Sequence, residues 1–381
     1  MSPASCVPFG LPGVLKQVPG WLLRPEGPLS VRWRYLPRVL PWMLSFVANS
    51  RAERVGPIAD ALRALLGQTF DATLALADHA GVRDLIRQSG YLVVYGSEAA
   101  YRADSLAWKI RRDRGVLVQE LDAAGLAREE PALSGGCARG VLLPEQGFVA
   151  NPLRLTQSLA RKFQQDGGRL LRRKVVDIEI GDGGATALVT DAEAVPVEHL
   201  VVCAGIYSAD FARRLGDPVP LESQRGYHVC FEHPSVALRR PVASGEGKFF
   251  ATPMETGLRV AGAVEFAGVA AAPRYARADV LQRQAQRLFP GLRGENVTRW
   301  MGHRPSTPDS LPVIGRATTF ANVWYAFGHG HVGLCGSAPT GRLLADLIVG
   351  NKPFIDPAPY RPDRFRRVAR PVLDGYGVGT W

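Results

Sequence analysis

Near the end of the chain, a strand-like run, Val323 to Phe327, passes through Gly328-His329-Gly330-His331-Val332-Gly333 into a helical run, Gly336 to Val349. A strand, a glycine-spaced turn and a helix in that order point to a fold with an α/β layer, because the turn sets a helix N-terminus over a strand end. The spacing is that of a dinucleotide fingerprint, GxGxxG, but the context differs. The following residues, GNKPFIDPAPYRPD, are broken by prolines, so no second parallel strand is expected there, and no acidic residue ends one to hold a ribose. The physics of the turn survives that mismatch. Glycines let backbone N–H groups approach a ligand, and the helix N-terminus adds free donors and partial positive charge. An anion, or a ring that becomes anionic on reduction, suits such a turn. A tight strand-to-helix connection without a ligand is the plain alternative.

Composition narrows the function classes. With 46% hydrophobic and 21% charged residues among 381, the chain has the balance of a globular protein and not of a disordered one. The longest apolar stretch, Leu40 to Ala48, is about half of the ~20 residues needed to span a bilayer. The opening residues have no basic region followed by an apolar core, so a secretory signal is not expected. Net charge is +11, and arginine accounts for nearly all the basic residues. The arginines are scattered, with short clusters at Arg111–Arg114, Arg172–Lys174 and Arg364–Arg370. No aromatic-interleaved basic repeat, zinc spacing or helix-turn-helix accompanies them, so no nucleic-acid partner is expected. A weak peripheral contact with an anionic membrane is the partner this charge allows. The cysteines, Cys6, Cys137, Cys203, Cys230 and Cys335, are far apart and never in a CxxC pair. No metal site or disulfide framework is expected, and the usage fits a reducing, cytoplasmic compartment. Cys203 and Cys230 fall in apolar strand patterns and are expected in the core.

The first fifty residues, rich in proline, glycine and tryptophan, predict an irregular packed segment. Helical periodicity follows from Ala52 to Ser89, then a strand at Tyr91–Tyr95, a charged helix from about Glu98 and a strand at Val116–Gln119. Asn151-Pro152 opens a helix with a cap and a first-turn proline. Strands are expected at Arg169–Leu171, Val175–Ile180, Ala187–Thr190 and Val197–Cys203, and an alternating, antiparallel region with strands near 226–232, 248–252 and 258–265 comes next.

Several segments together resemble the D-amino-acid oxidase superfamily of FAD-dependent amine oxidoreductases, and in particular its bacterial D-amino-acid dehydrogenase branch. They are PFGLPGVLKQVPGWLLRPEGPL, LLPEQGFVANPLRLTQSLARKFQQDGG, VVCAGIYSADFARRLG, RGYHV, GLRVAGAVEFAG, GHRPSTPDSLPVIG and GHGHVGLCGSAPTGRLLADLIVG. Their order and spacing carry the resemblance, from about residue 5 to 355. It implies a mixed α/β (α+β) fold, with a truncated FAD/NAD(P)-binding Rossmann-like layer interleaved with an antiparallel-sheet substrate domain. The implied divisions are an irregular flavin-proximal segment (1–50), a helical cap region with strands (51–145), a first part of the FAD layer (146–222), the substrate domain (223–300), the closing part of the FAD layer (301–355) and a tail (356–381). Family chains open with a strand, a GxGxxG turn, a helix and a second strand, a unit of at least ~30 residues. This sequence is expected to begin after that unit, which leaves a truncated, catalytically inactive product or a flavin protein without its main phosphate cradle as the two expectations.

The resemblance assigns roles. Arg304, in GHRPSTPD, matches the arginine that pairs with the substrate carboxylate, a task suited to a planar, permanently charged guanidinium; otherwise it is a surface residue. Tyr227 and His228, in RGYHV, point to opposite faces of a strand, so only one can face the pocket. Tyr227 is a candidate second carboxylate ligand or a core residue. His331 and its neighbour His329 flank the flavin turn, to polarise the ring, gate substrate or pack the turn. Val175 matches the position whose backbone brackets the adenine, Ala204-Gly205 the pass beside the adenosine and pyrophosphate, and Gly328, Gly330, His331, Val332 and Gly333 the backbone donors to the flavin. The implied cofactor is non-covalent FAD, since Arg299–Asp309 lacks the cysteine that the sarcosine-oxidase branch uses for attachment. The implied reaction is oxidation of the α-amino group of a D-amino acid to an imine by hydride transfer to flavin, with electrons passed to a quinone or another acceptor. A glycine, sarcosine or imino-acid oxidoreductase of the same fold is the alternative. The implied location is the cytoplasm, or the inner face of the membrane.

Overall fold

The computed structural model describes residues 1–14, 18, 20, 24, 26–133 and 136–366. Most of 15–25 and the tail beyond 366, including part of the Arg364–Arg370 cluster, lie outside the described residues. The fold is mixed α/β. Ten elements position the site: helix α1 (Leu36–Asn49), strands β1 (Leu200–Val202), β2 (Glu222–Glu232), β3 (Phe249–Met254) and β4 (Gly257–Phe266), helix α2 (Ala276–Leu288), strands β5 (Asn296–Ser306), β6 (Val313–Arg316) and β7 (Val323–Phe327), and helix α3 (Gly333–Ile348).

The largest sheet has the order β5-β2-β4-β3, then Val242–Ser244, Tyr91–Tyr95, Arg139–Leu143 and Gln119–Asp122. Its long strands alternate as a half-covered antiparallel sheet requires. Odd positions of β2, Tyr227, Val229 and Phe231, join Leu258, Val260, Phe249 and Ala251 in a core capped by Ala278, Leu281 and Ala285 of α2. Even positions, Gln224, Gly226, His228 and Cys230, face away from that helix. Across β2 they meet Arg304, Gly302, Trp300 and Thr298 of β5 in register.

The second sheet is small. β1 runs parallel to β7, and β7 pairs antiparallel with β6. Parallel neighbours send both C-terminal loops to the same end of the sheet, so Ala204-Gly205 and the Gly328–Gly333 turn emerge together. Between Val349 and residue 366 the described chain makes only short 3-10 turns after α3, with no further strand. The two sheets touch where β5 ends, as Ser306 makes a backbone bridge to His329.

Several sequence expectations need correction. The first fifty residues are not all irregular, since α1 is a helix of 14 residues despite Pro37 and Pro41. Pro37 sits in the first turn, where its missing N–H is not needed, and Pro41 forfeits only the bond to the carbonyl four residues back. Burial of Val39 and Trp42 against Val264 and Phe266 holds the helix in place. Residues 169–171 form no strand, having no partner, and Leu170 and Leu171 are exposed. Cys203 is exposed because its strand stops at Val202, and Cys230 is half-buried because it lies on the face of β2 away from α2. The helical stretch after Ala52 breaks at Gln68 into Ala52–Gly67 and Thr69–His79. Among the described residues, no helix is long and apolar enough to cross a membrane.

Candidate functional site

The turn between β7 and α3 uses its glycines. Gly328 has φ +83° and Gly330 φ +54°, a left-handed region that side chains with a Cβ avoid. A Cβ on Gly328 would come within 3.1 Å of the Thr307 methyl group. No side chain caps the N-terminus of α3, and a 3-10 turn, Gly330–Val332, leads into it with the Val332 N–H donating to the His329 carbonyl (3.0 Å). Beside the turn, a narrow cleft is lined by Phe9, Phe46, Gln224, Ser306, Thr307 and Gly328 to Val332, among others.

Arg304 enters this region from β5. Its guanidinium lies over Gly226, where an added Cβ would approach its central carbon to 2.2 Å. It donates to the backbone carbonyls of Ala263 (2.8 Å) and Gly262 (3.4 Å). Among the described residues no carboxylate comes within ion-pair distance of it. Burial, and next the charge of Arg259, lower its pKa to about 10, so the guanidinium is still charged at neutral pH. It is a held cation with N–H donors left to spend.

The other predicted residues divide clearly. The His331 ring lies 5.5 Å from that of Phe9 at the cleft. The residue is exposed at the rim, and desolvation by nearby atoms, then the Arg304 charge, disfavour its protonated form. His228 shares the sheet face of Arg304, and Gly302 clears room for the Trp300 ring that stacks on it at 5.2 Å. Burial and the Arg259 charge lower the His228 pKa to about 4, and its Nδ1 is buried without a partner among the described residues. Tyr227 points to the opposite face, where its hydroxyl donates to Glu265 (2.6 Å) and accepts from the Arg274 N–H (3.0 Å). The structure therefore gathers Arg304, His331, Gly328, Gly330 and Val332, with Gly333 opening α3. It sets Tyr227 in a separate network. Ala204 and Gly205 share the sheet end of the turn, and Gly205 has φ +58°. Val175 begins a strand of a three-stranded meander that packs on the small sheet through Ile178 and Leu188.

Sequence reasoning missed Gln224, Phe9 and Phe46. Gln224 is buried at the cleft, opposite Arg304 in register, and lies two residues before Gly226 in the same alternating strand. Phe9 and Phe46 lay in the segment read as irregular. His329 is held within the protein by its ring nitrogen against the Thr340 hydroxyl (2.9 Å). No group of three or more metal-ligating side chains occurs among the described residues.

The profile of the DAO family, described as FAD dependent oxidoreductase, matches residues 24–347. The chain is 39% identical over 370 residues to a D-amino-acid oxidase of Bradyrhizobium diazoefficiens, covering 96% of this chain and 88% of that one. It is 28% identical over 358 residues to a D-amino acid dehydrogenase of Rhizobium rhizogenes, covering 93% and 86%. Among solved structures, glycine oxidase from Bacillus cereus superposes with a TM-score of 0.70 at 21% identity, over 82% of this chain and 85% of that one.

Proposed function

We infer that this chain, which belongs to the FAD-dependent oxidoreductase family, oxidises the α-amino group of a D-amino acid to an imine. The observation that carries the reading is Arg304, a charged guanidinium without a carboxylate partner, held beside a glycine turn. The turn fits a flavin ring: Gly328 and Gly330 keep side chains out, and the uncapped helix offers N–H donors. In this reading FAD is bound non-covalently, through the backbone of Gly328 to Gly333, the Ala204-Gly205 loop and the Val175 strand, and when bound it supplies the hydride acceptor.

The protein's own residues bind and orient. Arg304 takes the substrate carboxylate in two parallel hydrogen bonds, which fixes the α-carbon against the turn. Its bonds to the Ala263 and Gly262 carbonyls stop it from swinging away. His331, disfavoured in its charged form, adds no second cation beside it. Phe9 and Phe46 exclude water from the cleft. Electrons leave to a quinone or another carrier, from the cytoplasm or from a peripheral contact with the membrane through the basic surface. The identity to a D-amino-acid oxidase supports a D-amino acid over glycine, sarcosine or a cyclic imino acid.

The test begins with colour. Purified protein should show flavin absorbance, or gain it on addition of FAD, and should turn over D-alanine with an artificial electron acceptor. A protein that stays colourless with added FAD refutes the reading, and turnover of sarcosine or proline without D-alanine replaces it with the secondary-amine alternative.

A further inference from the structure

Arg304 is not the only arginine of its kind on this sheet face. Arg259, on β4, pairs in register with Cys230 of β2 and Thr252 of β3, and two residues on Ala261 pairs with His228. Residues paired across a ladder share a face, so Arg259, His228, Trp300 and Arg304 all lie on the side away from α2. Arg259 is half-buried. Like Arg304, it has no ion pair within reach among the described residues. Glu232, further along β2 on the same face, accepts instead from the Asn296 side chain at 3.3 Å. Arg259 lies close enough to disfavour the charge on both Arg304 and His228.

Two neighbouring, desolvated cations with no acid between them are unfavourable in the empty protein, and an anion that reaches both relieves the repulsion and the missing hydrogen bonds. A single carboxylate occupies one guanidinium fork. A substrate with a second carboxylate occupies both. Between them, His228 contributes a neutral ring with an unpartnered Nδ1, which in the tautomer carrying hydrogen there donates to the same ligand.

We propose that Arg259 is a specificity residue that holds the side-chain carboxylate of an amino dicarboxylic acid whose α-carboxylate rests on Arg304. The proposal rests on the substrate role of Arg304 and adds the substrate class: acidic D-amino acids, of which D-aspartate and D-glutamate are the probes.

The experiment uses the FAD-loaded enzyme and compares kcat/KM for D-glutamate and D-aspartate with that for D-alanine. At least one acidic substrate should equal or exceed D-alanine. In Arg259→Met the acidic-to-alanine ratio should fall roughly a hundredfold, the scale for losing a charge-assisted pair, and Arg259→Lys should recover part of it. An unchanged ratio in a folded variant overturns the proposal. A second measurement needs no variant: calorimetry should show glutarate binding more tightly than butyrate, and equal binding overturns the proposal. If glutarate is favoured but no D-amino acid is turned over, the two-arginine anion site stands and the amine-oxidising reading falls. If D-alanine is turned over but acidic substrates and glutarate gain nothing, the enzyme reading stands and the role of Arg259 falls.

Discussion

Arg225 and Arg304 lie on neighbouring strands of one sheet, facing opposite ways, and they differ in what surrounds them. Arg225 is fully buried and fully occupied: it pairs with Glu265 and donates to the backbone carbonyls of Gly268 (2.8 Å), Val269, Ala271 and Ala272. Glu265 in turn accepts from Tyr227 and pairs with Arg32 at 3.0 Å. Arg304 has two carbonyls and no acid. Arg225 is fully buried and Arg304 half-buried in the same sheet, but exposure alone does not say which arginine is structural and which binds. The balance of partners does: a satisfied charge holds the fold together, and an unsatisfied one is set for a ligand.

The largest effect that would break this contrast is on the occupied side. Arg225→Met leaves the buried carbonyls of Gly268, Val269, Ala271 and Ala272 without their donor and Glu265 with only Arg32 and Tyr227, and should cost about 3–5 kcal/mol of stability, the range for removing one member of a buried charged network. Thermal or denaturant unfolding reads it. If Arg225→Met unfolds like the parent, the contrast is wrong. On the open side the sign changes. Arg304→Met removes a cation that nothing neutralises, so the stability of the ligand-free protein should hold or rise. The KM for D-amino acids should meanwhile increase roughly ten- to a hundredfold, the worth of a charge-assisted hydrogen-bonded pair. An unchanged KM would remove Arg304 from the site.

The same comparison explains what could be read before the structure. Val323–Phe327 and Tyr91–Tyr95 are strands to the residue, and the Asn151 cap accepts from the Arg154 N–H, because local chemistry determines these features. The α1 helix was hidden, since its prolines are local signals and the Val264 and Phe266 surface that holds it is more than two hundred residues away. Alternation showed that Tyr227 and His228 must part, but which one faces the site depends on where α2 packs. The extra residue of β4 opposite Arg225–Tyr227 likewise leaves no trace in β2 itself. Arg259 was illegible for a related reason: in a chain this rich in arginine, missing acids are visible only in three dimensions.

A smaller effect distinguishes the two sides by pH. Burial lowers the pKa of His329 from 6.5 to about 4, so the unfolded chain takes up this proton first as pH falls. Stability from keeping His329 neutral is therefore present above about pH 6.5 and is lost progressively towards pH 4. Its full loss should amount to no more than about 3 kcal/mol, at roughly 1.4 kcal/mol for each pH unit between the two values. His329→Gln, which retains a hydrogen-bonding group for Thr340, should flatten the acid limb of the stability profile. An acid limb of the same slope in that variant would show that the proton is taken up elsewhere.

The smallest expected change is also the most local. Gly226 has no side chain, and the Arg304 guanidinium occupies the space where a Cβ would stand. In Gly226→Ala the flexible end of the arginine can move, so the fold should lose only about 1 kcal/mol, the centre of the range for single substitutions. The displaced guanidinium, however, leaves the Ala263 and Gly262 carbonyls that orient it. The KM should rise roughly threefold to tenfold with little change in the melting temperature, less than in Arg304→Met because the charge remains nearby. A loss of stability without a change in KM would mean that Gly226 serves the strand and not the arginine, and that the open face of β2 is less finely arranged than its geometry indicates.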